Sequence, residues 1–482
     1  MSYALEVRSR EFTQEFIATS NYCEWLFNDR FFPINILPPS FRVTKATIGT
    51  AQIMNKKGKD SWRMVLPIEP PDDKFTRKYF ALHHPDALHD FLFQVQSLDL
   101  QKLLKQSDKI TSYSLPLPIQ PSEKIRGISD YLKLEADVTT DSWDFSSLVK
   151  LDVKQCYPSI YSHSLHWAID GYSNVRNENP IDLTVGKLST GGRGFYVDKS
   201  IQAMHGGITK GIAVGPGASD VIFEILFRRI DQEISEEFIA QNIDAIGGRF
   251  KDDYKILVKD AKHQTDVIQI VQDKLNRYLL HLNEDKTCFG HPFEVLQRDW
   301  MVEYHSVMNE SPKNIKQLLW HLTYVADLQK RYPNKRLLAK YIGNLQYKPK
   351  SISEFDQITS VLFSLSDVFR SIVPITISYM DKIAEEIASN NIDQRILGKI
   401  LREQNAYNGM WYLHYLATYF PHHKDQIKGK VHPSIEANPF WNSLMGQEDK
   451  LFSNTNVSAS FFEPVDKHIK IYDQTRTFLE GY

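Results

Sequence analysis

Apolar positions along this chain fall into three successive patterns. Residues 1 to about 105 carry helical spacing broken by proline-rich stretches such as INILPPSF and LPIEPPDD, which predicts an irregular N-terminal region. From about 106 to 300 the pattern becomes regular. A short apolar run predicts a strand over 148–153, and a glycine-rich loop follows it. Ile222, Ile225, Leu226, Ile230, Ile234 and Phe238 then recur at three- and four-residue steps, which predicts a helix from 218. Strand-forming residues on both sides of position 252 predict a hairpin, followed by a helix near 264–281 and a strand near 286–290. This β-α-β-β-α-β order is the split arrangement that lays an antiparallel sheet over two helices. After about 301 strand signals fade: IKQLLWHLTYVADLQKRY, FDQITSVLFSLSDVFRSI, ILGKILREQ and MWYLHYLATYF have helical periodicity without a fixed repeat length. The expected fold class is α+β, with an N-terminal region (1–105), a mixed domain (106–300) and an all-α C-terminal domain (301–482).

Composition narrows the function classes. An apolar fraction of 42% with 24% charged residues is that of a folded chain, and 482 residues leave room for two to four domains. The formal charge of -2 offers no bulk attraction to nucleic acid, so any such partner must be held by a local basic groove. Cys23, Cys156 and Cys288 stand far apart with no CxxC pair, which argues against a disulfide framework or zinc site and for a reducing cytoplasm. MSYALEVRSREF has charges where a signal peptide needs an apolar core, and no run approaches 18 apolar residues. The expectation is a cytoplasmic protein with no membrane partner.

The sharpest chemical signal is GGRFKDDYKILV, residues 247–258, where Asp252 and Asp253 are adjacent between strand-forming residues. Neighbouring carboxylates repel and are tolerated best where a divalent cation neutralises them. Asp152, one hundred positions before Asp252, closes the first strand, and the topology brings it beside Asp252. One carboxylate at a strand end and a pair at a hairpin tip is how a polymerase palm holds two Mg²⁺ ions about 4 Å apart. A second Asp-Asp, at 72 and 73 beside two prolines, reads as a solvated turn.

Other residues gain meaning from their order around these acids. Tyr157, five residues after Asp152, is either a core tyrosine or a flat ring beneath the incoming sugar, where it would collide with a 2′-hydroxyl and favour deoxynucleotides. GGITKGIAVGPGASDV is either a surface loop or a segment whose glycines, Gly211 and Gly215 among them, let backbone approach a nucleotide closely. Lys286 in LNEDKT is a solvated lysine or a group facing the leaving pyrophosphate. Lys124 and Arg126 in SEKIRGISDYLK are candidates to hold the triphosphate. The His-His pairs at 83–84 and 422–423 lack partners at ligand spacing and read as loop residues.

Taken in order, LDVKQCYPSIYSHSLHWAI, GITKGIAVGPGASDVIFEILFRRID, RFKDDY, LNEDKT and QRDWMVEY resemble the successive palm motifs of a reverse transcriptase. PSIYSHS and VGPGAS resemble the abortive-infection (Abi) branch of bacterial antiphage defence, prophage-borne members included; the resemblance covers roughly residues 120–305. It implies reverse-transcriptase fingers and palm followed by a helical-repeat-like domain in place of a thumb. It also implies Mg²⁺-dependent synthesis of DNA from dNTPs, with Mn²⁺ as a substitute ion, without a template and primed by a tyrosine hydroxyl. The partners implied are a single-stranded DNA product attached to the chain, RNA, and further copies in a homo-oligomer. By motif, Asp152, Asp252 and Asp253 would be the metal-holding acids, Tyr157 the sugar gate and Lys286 the phosphate-side lysine. Two positions depart from the pattern: Lys251 stands where a small or apolar residue is usual, and Gly217-Ala218 where polar residues are commoner. Two other readings stay open: a vestigial palm serving as a scaffold for RNA or protein, and a template-copying retron or intron enzyme, which would usually carry a basic thumb.

Overall fold

In the computed structural model the described residues are 16–17, 20–33, 36–43, 63–71, 80–117, 128–172, 175, 192–297, 299–308, 311–384, 391–446, 451–452, 455–457 and 459–462. Their strands are β1 (Leu66–Ile68), β2 (Phe80–Leu82), β3 (Ile110–Ser112), β4 (Ser147–Asp152), β5 (Ala245–Phe250), β6 (Asp253–Val258) and β7 (Cys288–Gly290). β1 and β2 pair with each other, and the rest form a five-stranded sheet in the order β3-β5-β6-β4-β7. Its pairs are antiparallel except β3 with β5, which run parallel. β3 has no counterpart in the pattern analysis, because three residues are too few to show alternation.

Alternation along β4 and β6 gives the sheet two chemically different faces. Val149, Leu151, Tyr254, Ile256 and Val258 belong to the main core, together with Ile222, Ile230 and Phe238 of the Gly217–Ala240 helix and Val267 and Val271 of the Gln264–Arg277 helix. Gly217–Ala240 is buried nearly all round, so its predicted apolar stripe understates its burial. On the opposite face Leu148 and Leu257 form a smaller cluster with Leu134 and Val138 of the Ile128–Asp141 helix. That helix can lie close because Gly248 has no side chain: a Cβ there would come within 2.2 Å of Leu134 Cδ1. Asp152, Lys150, Asp253 and Lys255 share this second face by register and alternation.

Two boundaries differ from expectation for local reasons. The helix beginning at Gln264 stops at Arg277, because Leu279 adopts a left-handed φ of 63° while Leu279 and Leu280 donate to the carbonyls of Asn276 and Leu275. β7 starts only at Cys288, since Glu284–Lys286 first makes a 3-10 turn.

The elements described after Gly290 are all helical, from Pro292–Leu296 to Pro439–Met445. The chain then returns to its beginning. Phe452 and Phe461 pack on Phe31, while Phe440 and Phe462 pack on Phe41. Asp86 accepts hydrogen bonds from the Thr455 hydroxyl (2.7 Å) and the backbone N–H groups of Asn456 (2.8 Å) and Val457 (3.3 Å). Three of the four paired histidines are packed into the fold. His83 is buried against Ser219, His84 caps the Pro85–Gln96 helix, and His423 is buried with Nε2 at 2.8 Å from Asp393. No described helix is long and apolar enough to cross a membrane.

Candidate active site

β4 ends on Asp152, and the β5–β6 turn consists of Lys251 and Asp252. The register sets Asp152 opposite Asp253, so its cross-strand partner is the second acid of the pair and not the first. Asp252 sits in the turn beside them, its carbonyl accepting the Val153 N–H at 3.1 Å. Like charges opposed across a sheet destabilise it unless something offsets them. Burial first, then the charges of Asp252 and Asp152, push the Asp253 carboxyl up to about 6. The Asp252 carboxyl is also raised, by burial and by Asp152.

Lys150 offsets Asp253 and Lys251 offsets Asp252, while Lys286 acts on both and pairs directly with Asp152. The Lys286 ammonium lies 2.8 Å from Asp152 Oδ2, while Asn283 Nδ2 donates to Asp152 Oδ1 at 3.0 Å and Asn283 N–H to the Asp152 carbonyl at 2.8 Å. Burial alone would lower the Lys286 pKa; the bond to Asp152 and the charges of all three acids outweigh it, and the pKa rises. In chemistry these carboxylates suit a hard divalent ion, because they are oxygen donors crowded at a place that already favours a cation. In arrangement, no three His, Cys, Asp or Glu side chains among the described residues are placed to hold a metal, and both Asp152 oxygens are engaged. An ion entering here would have to displace the Lys286 ammonium from Asp152. Asn283 was not singled out from sequence, although it lies in LNEDKT.

Tyr157 is buried, its ring stacked on Phe223 at a centroid distance of 5.4 Å. Its hydroxyl donates to Asp220 Oδ1 at 2.6 Å. Lys251 Nζ reaches the same oxygen at 3.3 Å and lies 5.8 Å from the centre of the Tyr157 ring, while Arg30 reaches Asp220 Oδ2 at 3.4 Å. Asp220 thus ties the N-terminal region, the tyrosine and the hairpin turn together. Sequence reasoning passed over it, because an acid in the first turn of a helix is ordinary.

The glycines approach protein in this packing. A Cβ on Gly211, whose φ is 91°, would meet the Pro158 carbonyl oxygen at 3.3 Å; one on Gly215 would meet Pro33 Cγ at 2.7 Å. Gly211 N–H and Ile212 N–H donate to the Ile160 and Tyr157 carbonyls, so this segment is laced to the one carrying the tyrosine. Lys124 and Arg126 lie outside the described residues.

Behind the turn lies a buried ionic network with no sequence forecast. Arg249 pairs with Asp231 (Nη2–Oδ2 2.9 Å) and Glu224 (Nη1–Oε1 3.0 Å), and donates to the Lys251 carbonyl at 3.1 Å. The Ser112 and Ser114 hydroxyls donate to Glu224, and the Tyr254 hydroxyl donates to Asp231.

The family described as Reverse transcriptase (RNA-dependent DNA polymerase) matches residues 54–318, more than half of the 482. The chain belongs to the reverse transcriptase family. Asp152, the glycine-rich segment, the Asp252-Asp253 hairpin and Lys286 all fall inside that match. Among solved structures, apo telomerase from Candida tropicalis is 13% identical over 82% of this chain with a TM-score of 0.33. Telomerase from Candida albicans in complex with a TWJ fragment of telomeric RNA is 12% identical over 72% with a TM-score of 0.28. This chain spans 66% of each of those two chains. No curated protein matches it. Enzymes of the reverse transcriptase family are nucleotidyltransferases and generally use divalent metal ions.

Proposed function

We propose that this chain is a divalent-ion-dependent DNA polymerase that builds DNA from dNTPs on a palm framed by the split β-α-β-β-α-β arrangement. The observation that carries the reading is the register of Asp152 against Asp253 with Asp252 in the adjoining turn. Asp152, Asp252 and Asp253 are the residues that would hold Mg²⁺, and bound ions would activate the attacking oxygen and neutralise the triphosphate. Lys286 would leave Asp152 for the phosphate side, and Tyr157, fixed by Asp220 and Phe223, would form the floor beneath the sugar. Lys124 and Arg126 are assigned to the triphosphate on their sequence position alone.

The finer reading follows the motif wording: an Abi-type enzyme of antiphage defence, cytoplasmic and homo-oligomeric, making single-stranded DNA without a template from one of its own tyrosines, with RNA as a further partner. The helices described after Gly290 are the part of the fold that would take the place of a thumb.

Purified chain supplied with Mg²⁺ and single dNTPs, with and without a primed template, tests this. Expected is DNA that stays with the protein on a denaturing gel until nuclease is added, and loss of synthesis in Asp252→Asn. Full synthesis by Asp252→Asn would remove that residue from the chemistry. A second reading, a palm that binds without polymerising, is favoured by one observation: Lys286 and Asn283 occupy both oxygens of Asp152. Calorimetry of dNTP with Mg²⁺ separates the two, since an inert palm shows no metal-dependent binding.

A further inference from the structure

The support of the Tyr157 ring extends to a stretch of chain far away in sequence. Residues 30–33 lie in bends outside any helix or strand, so side-chain packing rather than a backbone ladder holds their path. Two sets of contacts fix this bend. In the first, Arg30 reaches Asp220 Oδ2 at 3.4 Å, the Arg30 carbonyl accepts the Gly217 N–H at 2.8 Å, and a Cβ on Gly215 would meet Pro33 Cγ at 2.7 Å. Asp220 and Phe223 belong to the helix that starts at Gly217, and they hold the Tyr157 hydroxyl and ring. In the second, Phe31 is buried against Phe452 and Phe461, with ring centres 5.6 and 4.9 Å away, and those two rings pack on each other at 5.1 Å. Asp86 fastens the stretch between them. Its carboxylate is fully buried: Oδ1 accepts from the Thr455 hydroxyl and the Asn456 and Val457 N–H groups, and Oδ2 from Asn456 Nδ2 at 3.0 Å. A buried carboxylate is costly unless hydrogen-bonded, so departure of residues 455–457 would strand it and uncover three aromatic rings together.

We propose that Phe461 is a positioning residue for nucleotide selection: by clamping Phe31 it fixes Arg30 against Asp220, and through Asp220 the tethered ring of Tyr157. The links are contiguous contacts, from Phe461 to Phe31, along the chain to Arg30, and then through Asp220 to Tyr157. Phe461 acts only through them and touches no substrate. The assignment rests on the reading of Tyr157 as the floor beneath the sugar.

Two readouts are taken on the full chain. Hydrogen exchange, measured in EDTA without nucleotide, follows the amides of residues 211–220, among them the Gly217 N–H bonded to the Arg30 carbonyl. Single-nucleotide incorporation with Mg²⁺ gives the preference for dTTP over UTP. Expected for Phe461→Ala is faster exchange at 211–220 and a preference lowered about threefold. Phe461→Leu keeps an apolar contact with Phe31 and should fall between it and wild type. Leu362→Ala, at a buried site of the Ile352–Val368 helix, destabilises the helical half elsewhere and should leave both readouts at their wild-type values. Should Phe461→Ala fail to fold, the double variant Thr455→Val with Asn456→Ala removes two side-chain donors to Asp86 and should shift both readouts in the same direction. Unchanged exchange, an unchanged preference, or an equal response in Leu362→Ala each overturns the positioning role. Faster exchange with no incorporation by any preparation sinks the polymerase reading and leaves the clamp on Arg30 standing; incorporation with unchanged exchange sinks the clamp alone.

Discussion

The Tyr157 hydroxyl and the Lys251 ammonium meet on one oxygen of Asp220, at 2.6 and 3.3 Å. The tyrosine ring is stacked on Phe223 and tethered at its hydroxyl, so under the proposed polymerase reading sugar selectivity would depend on the tether as well as on the ring. Lys251 takes part at a cost: its φ of 51° places a side-chain-bearing residue in the left-handed region, worth about 1–2 kcal/mol against it. Asp220→Ala is expected to lower the preference for dTTP over UTP in single-nucleotide incorporation by about tenfold, roughly one hydrogen bond's worth of differential binding. Asp220→Asn keeps an acceptor and should fall between the two. An unchanged ratio in Asp220→Ala would show that packing on Phe223 suffices. Tyr157 is a candidate in the sequence by its distance from Asp152; Asp220 is not, because its partners come from positions 30, 157 and 251, which only folding assembles.

At the scale of elements, the hairpin of β5 and β6 is bolted to the Gly217–Ala240 helix through Arg249. Its guanidinium is fully buried between Asp231 and Glu224 and lies over the rings of Phe223 and Phe227 at 5.3 and 5.0 Å. Burial would raise both acids. For Glu224 the charges of Arg249 and Arg228 prevail and hold it down at about 2, whereas the Asp231 carboxyl stays raised. Arg249→Met removes the cation and strands two buried carboxylates, a loss of about 3–5 kcal/mol. It should lower the thermal midpoint sharply and remove DNA synthesis, although Arg249 faces away from the carboxylate cluster. Arg249→Lys cannot reproduce the fork and should rescue little; a near-native midpoint in Arg249→Met would mean the network is idle. The strand at 147–152, the hairpin and the helix from 217 were legible because apolar periodicity is strong there. The opposition of Asp152 to Asp253 was not, since register depends on a two-residue turn opened by a lysine, with none of the usual Asn-Gly chemistry to announce it. Nor was the Ile128–Asp141 helix on the carboxylate face, whose seat depends on the missing side chain of Gly248.

The molecule as a whole is closed by its own C-terminal segment: Phe440, Phe452, Phe461 and Phe462 pack on Phe31 and Phe41, and Asp86 holds residues 455–457. Stability of the helical half is therefore coupled to that of the N-terminal region, and one residue makes it sensitive to pH. His414, in the Ala406–Tyr419 helix, is fully buried, and neither ring nitrogen has a hydrogen-bond partner among the described residues. Burial lowers its pKa to about 3, against an ordinary unfolded value of about 6.5. The folded chain keeps this ring neutral while the unfolded chain protonates it, so its contribution is intact above pH 6.5 and is lost progressively as pH falls toward 3. At pH 5 the loss is about 2 kcal/mol. His83, His166 and His205 are also lowered and act in the same direction, so a comparison with a variant isolates the effect of His414. Denaturant unfolding at pH 7, 6 and 5 should show wild type weakening faster than His414→Leu, which removes the titrating ring and two unpaired nitrogens together. The variant should be at least as stable at pH 7 and clearly more stable at pH 5. Parallel pH dependence in the two proteins would mean that His414 gains a proton acceptor or water that the packing here does not provide.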